Sequence, residues 1–361
     1  MMDMHEAAPA SGTAIGRAPK GLYLPSGYLN FRWCLNLGVP FVFLVGARGV
    51  GKTYGGLSTC IEDNIKFFFL RRTQTQVDTI STPDYNPFKT INKDKHIDIG
   101  VKSITKNSAG FYHADADGKY SGAPVGYLAA LSTFSNIRGF DASDVDLILF
   151  DEFIPEHHER PIKHEAEAFF NCYESINRNR ELSGRPPVTA VCMANSNDIA
   201  NPIFVHLGIV NKVNAMNKRG QVYTINKEAG YAIILLSASP ISAAKEETAL
   251  YKLTKGSAFS EMALSNDFGV VESNTKSENL KEYIPIVTVG EITVYRHKSE
   301  RMHYVTTHSS GHVRDIYQLS DADIKRLQIK YRRMVTEYLS NRIRFEDYAC
   351  EVLFSRYFMG G

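Results

Sequence analysis

"FVFLVGARGVGKTYGG", residues 41–56, constrains the fold of this 361-residue chain more than any other stretch. Five apolar residues run from Phe41 to Val45 and stop at Gly46. A short β-branched and aromatic run bounded by glycine reads as a buried strand. From Thr53 to Asp63 the pattern is that of a helix beginning. Between them lies G-x-x-x-x-G-K-[ST], formed by Gly46, Ala47, Arg48, Gly49, Val50, Gly51, Lys52 and Thr53, with Tyr54 next. Strand, glycine-rich loop and helix together make a phosphate cradle. Glycine lets the backbone bend and approach closely. The freed N–H groups and the helix N-terminus then point at an anion. In this arrangement Lys52 reaches the β/γ-phosphates of a nucleotide and Thr53 holds Mg²⁺. Residues 46–54 are therefore the expected nucleotide contacts.

The chain is long enough for two or three domains. It is 43% hydrophobic and 22% charged, which suits a buried core. Its five cysteines, Cys34, Cys60, Cys172, Cys192 and Cys350, are scattered, which argues for reduced thiols in a cytosol and against a disulfide framework. No apolar run reaches membrane-spanning length, so no membrane partner is expected. Residues 1–20, rich in Ala, Gly, Ser and Pro, lack the apolar stretch of a secretory signal and read as a loose tail. Net charge is +2, so any nucleic-acid contact must come from local patches and not from a whole basic face.

Five apolar runs read as strands of one sheet: 41–45, 66–70, 146–150, 188–194 and 232–238. Helical patterns lie between them, which argues for an α/β fold with a largely parallel sheet. Residues 74–130 alternate in short polar segments and read as a small β insertion. The P-loop domain so delimited is 21–239. A helical linker, 240–269, follows. Residues 270–361 form a smaller α+β unit of short strands and a helix from Ser320.

"VDLILFDEF" places Asp151 and Glu152 at the C-terminal end of a buried strand. In α/β sheets that edge is where ligands bind. Asp151 is placed to hold Mg²⁺ as a Walker-B aspartate does. Glu152 stands where a carboxylate would orient or deprotonate the attacking water. A GTPase would carry D-x-x-G here, and its N-K-x-D signature is missing, since "NKDK" at 92–95 has its acid one place early. The acid pair favours ATP hydrolysis driving mechanical work. "VTAVCMANSND" ends a further strand at Asn195, either part of a turn-forming Asn-Ser-Asn or a sensor of the γ-phosphate, as the resemblance described below implies. Arginines complete the set. Arg178 and Arg180 end a helical pattern over 161–180, where the macrodipole alone would favour them. A finger inserted into a neighbour's site is the functional reading. Arg138 lies in a loop before the Walker-B strand, another candidate. Arg71 and Arg72 follow a strand and stand where they could meet nucleotide or DNA.

These elements resemble the DNA-packaging (encapsidation) ATPases of small podophages of the picovirus type, terminase-like motors of the ASCE P-loop class. The resemblance rests on "GARGVGKTYG", "FLRR", "ILFDEF", "NRNRE", "CMANSND" with "NPIF", "FSEMALSNDF" and "RIRFEDYACEVLF", in that order over about residues 25–358. It implies a RecA-like ATPase domain with a reduced RNase H-like domain behind it. It implies a homo-oligomeric ring, a pentamer, docked on the portal of an empty phage head and pumping double-stranded DNA inward on ATP and Mg²⁺. The ring would work in the host cytoplasm, sit transiently on the portal vertex and be absent from the mature virion. By position, Lys52 and Thr53 match the phosphate loop, Asp151 and Glu152 the magnesium and catalytic acids, and Arg178 the trans-acting finger. Arg138 falls where family members carry a lysine, and the two are not interchangeable at a bidentate site. Some members need a packaging RNA, and nothing in this sequence decides that.

Two-metal nucleases need clustered carboxylates on strand ends. The strand-like segments 284–307 offer only Glu291 and Glu300, so the C-terminal domain is expected not to cut DNA. His297, His303, His308 and His312 lack the tight spacing of zinc patterns. "SDADIKRLQIKYRRMVTEYLS" has Ser320 as N-cap with Asp323 three on. Ile324, Leu327, Tyr331, Met334, Val335 and Tyr338 share one helical face. Lys325, Arg326, Lys330, Arg332 and Arg333 form the other, either an ordinary solvated face or a stripe contacting phosphates of DNA or structured RNA. Two other functions share the Walker motifs. A helicase-like ATPase would need strand-separating elements, and a nucleotide-switched binding module would not need Glu152 or a finger.

Overall fold

The apolar runs become strands because their β-branched and aromatic side chains are buried on both faces of a sheet, as parallel strands require. The computed structural model describes residues 14–15, 18–46, 48–137, 139–155, 159, 162–195, 198–236, 239–254 and 277–360. In chain order they give β1 (Ala14–Ile15), α1 (Phe31–Leu35), β2 (Phe41–Val45), α2 (Lys52–Glu62), β3 (Phe67–Arg71), α3 (Gln74–Ile80) and α4 (Lys89–Lys95). Then come β4 (Ile99–Thr105), β5 (Ser108–His113), β6 (Gly126–Ala130), β7 (Leu147–Asp151), α5 (Glu165–Asn177), β8 (Thr189–Ala194), α6 (Pro202–Leu207) and α7 (Val210–Lys218). After them follow β9 (Gln221–Asn226), β10 (Tyr231–Leu235), α8 (Pro240–Glu246) and α9 (Ala249–Leu253).

The described residues divide into two units, Met1–Asp198 with Met216–Asp267 and Ile199–Ala215 with Phe268–Gly361. The first is built on one sheet of order β1-β9-β10-β2-β8-β7-β3-β6-β5-β4. From β10 to β6 every neighbouring pair is parallel. Antiparallel strands extend both edges. On one face Phe67 lies 6.2 Å from Phe88 and 5.7 Å from Phe111. On the other, Phe68 lies 6.0 Å from Phe134. Fully burying one such side chain is worth about 1.5–3 kcal/mol.

The structure corrects four boundaries. Residues 74–130 are not a separate β insertion: α3 and α4 come first, then β6 pairs with β3, β5 with β6 and β4 with β5, lengthening the main sheet. Part of the expected tail is ordered into β1, because the edge of β9 offers it backbone partners at Tyr223 and Gln221. Residues 199–215, read as part of the P-loop domain, group instead with the C-terminal unit. Glu291 accepts from the Val210 N–H at 3.1 Å, Asn214 donates to Asp347 at 2.7 Å, and Arg356 donates to the Ala200 carbonyl at 2.5 Å. Of the expected linker, α8 and α9 belong to the first unit, and 255–276 lie outside the described residues.

The second unit carries a mixed sheet, β14-β11-β12-β13-β15, formed by β11 (Tyr283–Val289), β12 (Ile292–His297), β13 (His303–Thr306), β14 (Asp315–Tyr317) and β15 (Ile343–Phe345). The helix expected from Ser320 is two, Asp321–Lys330 and Arg333–Leu339. It breaks at Tyr331, whose hydroxyl is drawn to the Ile286 carbonyl at 3.2 Å and to Asp315. Ser320 caps the first helix, accepting from the Asp323 N–H, but the Asp323 carboxylate takes the Gln318 N–H, so the capping box is half made.

One buried ion pair anchors α5 to β3. The Arg72 side chain is fully buried and donates to Glu165 at 2.6 and 3.0 Å and to Glu159 at 2.7 Å. Removing one partner of a buried pair strands the other charge, at about 3–5 kcal/mol. We expect Arg72→Met to lower the urea midpoint by that equivalent, and Glu165→Leu added to it to recover part of the loss. An unchanged midpoint in Arg72→Met would show that the pair does not hold the fold.

Candidate functional site

Register builds the site. Val45 pairs with Ala194, and Met193 pairs with Asp151, so β2, β8 and β7 end at one edge. The Gly46 N–H donates to the Ala194 carbonyl at 3.0 Å, and Phe153 N–H to the Met193 carbonyl at 3.1 Å, which fixes both loops as they leave the sheet. β8 lies between the two Walker strands, and Asn195 follows its last residue, half-buried at that edge. Ser196 and Asn197 lie outside the described residues.

Gly46, Gly49 and Gly51 adopt φ of 114°, 72° and 89°, which side-chain-bearing residues rarely reach. Gly51 is the N-cap of α2 and supplies no capping side chain, so the first helical N–H groups face the loop's concavity. Val50 is buried and its carbonyl accepts from Leu29 N–H at 2.9 Å. Lys52 is 6% exposed, and its ammonium donates to the Gly46 carbonyl. Burial pushes its pKa down to about 7. Asp151 and Glu152 oppose that shift, while Lys245 and Arg48 add to it. A buried cation of this kind calls for an anion. Ala47 lies outside the described residues.

Thr53 Oγ1 stands 3.2 Å from each carboxylate oxygen of Asp151. Hydroxyl and carboxylate oxygens are the hard donors Mg²⁺ takes. Arg71, at the end of β3, bridges both acids, with Nη1 2.8 Å from Asp151 and Nη2 2.6 Å from Glu152. Its Nε is buried without a hydrogen-bond partner. Glu152 itself has φ of 57°, a left-handed conformation costly to a non-glycine residue. A cavity of about 700 Å³ opens beside the loop, with Leu24, Tyr28, Gly49, Gly51 and Tyr54 among its lining. Tyr54 donates to Asp94 at 3.0 Å across it. Phosphate loop and acid pair together fit a Mg²⁺–nucleoside triphosphate, while the cavity touches the loop at Gly49 and Gly51 and runs along α2 away from the acids.

The arginines separate. Arg72, read as free to meet nucleotide or DNA, is sealed against Glu165 and Glu159. Arg180 is buried, with Asp146 at 2.7 Å, and so is not presented to a neighbour. Arg178 caps the C-terminus of α5 with φ of 48°, is exposed, and donates to the Phe140 carbonyl at 3.2 Å with Asp141 3.6 Å away. Arg138 lies outside the described residues. In the second unit, Lys325, Arg332 and Arg333 are exposed, whereas Arg326 pairs with Asp323 and Lys330 with Asp315 at 2.6 Å. Sequence reasoning missed two features of the site: the bidentate role of Arg71, though "FLRR" flagged its position, and the ammonium of Lys245, which donates to the Arg48 carbonyl and which no motif marks.

The sequence profile of the podovirus DNA encapsidation protein (Gp16) family matches residues 25–352. The DNA packaging protein of Bacillus phage B103 is 27% identical over 325 residues, covering 84% of this chain and 92% of its own. That of Bacillus phage phi29 is 25% identical over 343 residues, covering 90% and 93%. Among solved structures, a chain of the bacteriophage Phi-29 viral genome packaging motor assembly shares the fold, with TM-score 0.61 and 21% identity over 90% of this chain and 97% of that one.

Gly51 tests the cradle. A Cβ there would sit at φ of 89° and 3.2 Å from Tyr28 Cδ1. Gly51→Ala is therefore expected to lower affinity for Mg²⁺–ATP at least about tenfold, the effect of roughly 1.4 kcal/mol of strain. The far-UV circular dichroism should stay unchanged. Equilibrium dialysis reads the affinity, and wild-type binding by the variant would rule out this loop as the triphosphate site.

Proposed function

The chain belongs to the podovirus DNA encapsidation protein family, and on that premise we propose that it is the ATP-hydrolysing subunit of a ring motor. The motor drives viral double-stranded DNA through the portal of an empty head. The observation that carries the reading is Thr53 within 3.2 Å of both Asp151 oxygens, at one edge of a parallel sheet whose sensor-position strand separates the two Walker strands.

Lys52 and the loop's N–H groups bind the β- and γ-phosphates, and the cavity beside Tyr28 and Tyr54 receives the base and ribose. Thr53 and Asp151 would hold Mg²⁺, which when bound would neutralise charge on the phosphate oxygens. Glu152 acts as general base toward the attacking water. Its carboxylate sits 2.6 Å from Arg71 Nη2, so Arg71 must move aside before that oxygen can reach a water. Asn195 orients the water or senses the γ-phosphate. Arg178, exposed on its own subunit, supplies its guanidinium to a neighbour's nucleotide, and Arg138 is a second candidate for that contact. The ring has five members in this reading, with portal and DNA as partners, and membership of the family supports it. Lys325, Arg332 and Arg333 are the nucleic-acid contacts we assign to the second unit, with Arg326 and Lys330 contributing once released from their acids. That unit does not cut DNA, since Glu291 is committed to the N–H groups of Val210 and Asn211. No helix among the described residues is long and apolar enough to cross a membrane.

The decisive experiment is protection of DNA from nuclease by matching empty heads, this protein and ATP. Full protection without ATP, or none with it, would overturn the motor reading. Glu152→Gln is expected to bind ATP normally and turn over roughly 10²–10⁴-fold more slowly. Arg178→Ala is expected to lose roughly 10³–10⁵ in rate, and mixing it with Lys52→Ala should restore part of it, because some interfaces then hold both a good loop and a good finger. A dead mixture, with mixed rings confirmed, would remove Arg178 as a trans residue. The full chain incubated with DNA and Mn²⁺ should leave the DNA uncut; cleavage abolished by changing one acid in 277–360 would reverse the nuclease reading.

A further inference from the structure

β10 runs parallel to β2, with Leu235 beside Val45, and the Leu236 N–H donates to the Val45 carbonyl at 2.8 Å. The chain leaving β10 therefore starts next to the phosphate loop. It then forms α8, whose first residues lie over the turn that lines the nucleotide cavity. A Cβ built at Gly27 would meet Pro240 Cβ at 3.1 Å and Ile241 Cδ1 at 3.4 Å. The last turn of α8 carries Lys245. Its ammonium donates to the Arg48 carbonyl and lies so close to Gly49 that any Cβ there would collide with it.

Three cations thus converge on one loop. Lys52 and Lys245 each donate to a loop carbonyl, those of Gly46 and Arg48, and Lys245 and Arg48 are near enough to depress Lys52 further. Burial lowers the pKa of Lys245 as well, and no carboxylate among the described residues offsets that. Glu247 on the same stretch is taken by Lys252 at 3.0 Å. A carbonyl is a poorer partner for an ammonium than a phosphate oxygen, because the carbonyl oxygen carries only a partial charge and the phosphate oxygen a formal one, so the Coulomb attraction is larger. Lysine also suits the role as a compact point charge on a flexible stem, able to move its head by an ångström or two without moving its helix.

We propose that Lys245 is a further phosphate ligand of the nucleotide site, its ammonium leaving the Arg48 carbonyl for a β- or γ-phosphate oxygen when a triphosphate binds. The inference rests on the proposed ATP site and adds a residue from the opposite end of the domain sequence. It also makes α8 the one element after the sheet that reads the nucleotide directly among the described residues. AMP, which has neither phosphate, gives Lys245 nothing to hold.

The test is equilibrium dialysis of the full chain with radiolabelled ATP and AMP in Mg²⁺, for wild type, Lys52→Ala, Lys245→Met and Lys245→Arg. Lys245→Met is expected to weaken ATP roughly 10- to 100-fold, the loss of one hydrogen bond to a charged group. AMP should change less than about threefold, which is under 0.7 kcal/mol, and Lys245→Arg should recover most of the ATP affinity. Equal losses of ATP and AMP would make Lys245 a brace for the loop and overturn the proposal, as would unchanged ATP affinity. If Lys245→Met does not fold, by its thermal melt, Lys245→Gln carries the same comparison. Wild-type protein that binds no ATP would sink the proposed function itself. ATP binding that depends on Lys52 and not on Lys245 would sink only this inference.

Discussion

Backbone pairing of β2, β8 and β7 is the constraint on which the first unit turns. Each strand is short, yet the register is shared across all three, so Val45, Ala194 and Asp151 finish at one level. A slip of one residue would turn every side chain to the other face. Here that would bury Asp151 among the phenylalanines and lift Phe150 into the ligand's place. Phe43, Phe150 and Phe153 prevent it by packing together, with ring centroids 5.7 and 6.3 Å apart. The geometry of this edge is therefore held by hydrophobic packing, and the polar contact between Thr53 and Asp151 is its consequence.

Around that edge the charges are arranged for a ligand of opposite sign. The loop gathers Lys52, Arg48 and Lys245, while Asp151 and Glu152 are drawn off by Arg71. A cationic loop beside a neutralised acid pair is costly unless an anion arrives with a divalent metal. The left-handed backbone of Glu152 adds local strain at the same place. The neighbouring Arg72 does the opposite work: sealed against Glu165 and Glu159, it fixes the start of the helix that ends at Arg178. Two consecutive arginines at one strand end thus tie the acid pair and α5 to the same strand.

The second unit is also held by apolar packing, with Val287, Val294, Val305, Phe345 and Phe354 fully buried. A three-tyrosine cluster, Tyr283, Tyr295 and Tyr304, supports its sheet. Three of its acids are engaged internally: Glu291 with two backbone N–H groups, Glu337 with Arg301 and Arg342, Glu346 with Thr306 and Thr307.

The sequence by itself determined the local parts. The run 41–45 with its glycines specified strand, loop and helix start, because period, glycine freedom and the lysine-threonine pair are all short-range signals. "DLILFDEF" gave the second acid-bearing strand for the same reason, and the order of motifs along the chain carried the family. Only the tertiary structure decided which long-range partners met. Nothing local distinguishes Arg71 from Arg72 or Arg178 from Arg180; burial and the carboxylate across the fold do. Nothing local ties 199–215 to Glu291 and Asp347, because those hydrogen bonds join residues 81 and 133 positions apart. Lys245 stands 197 positions from Arg48 and reaches it because β10 pairs with β2, a choice made by the whole sheet and written in no single stretch of the chain.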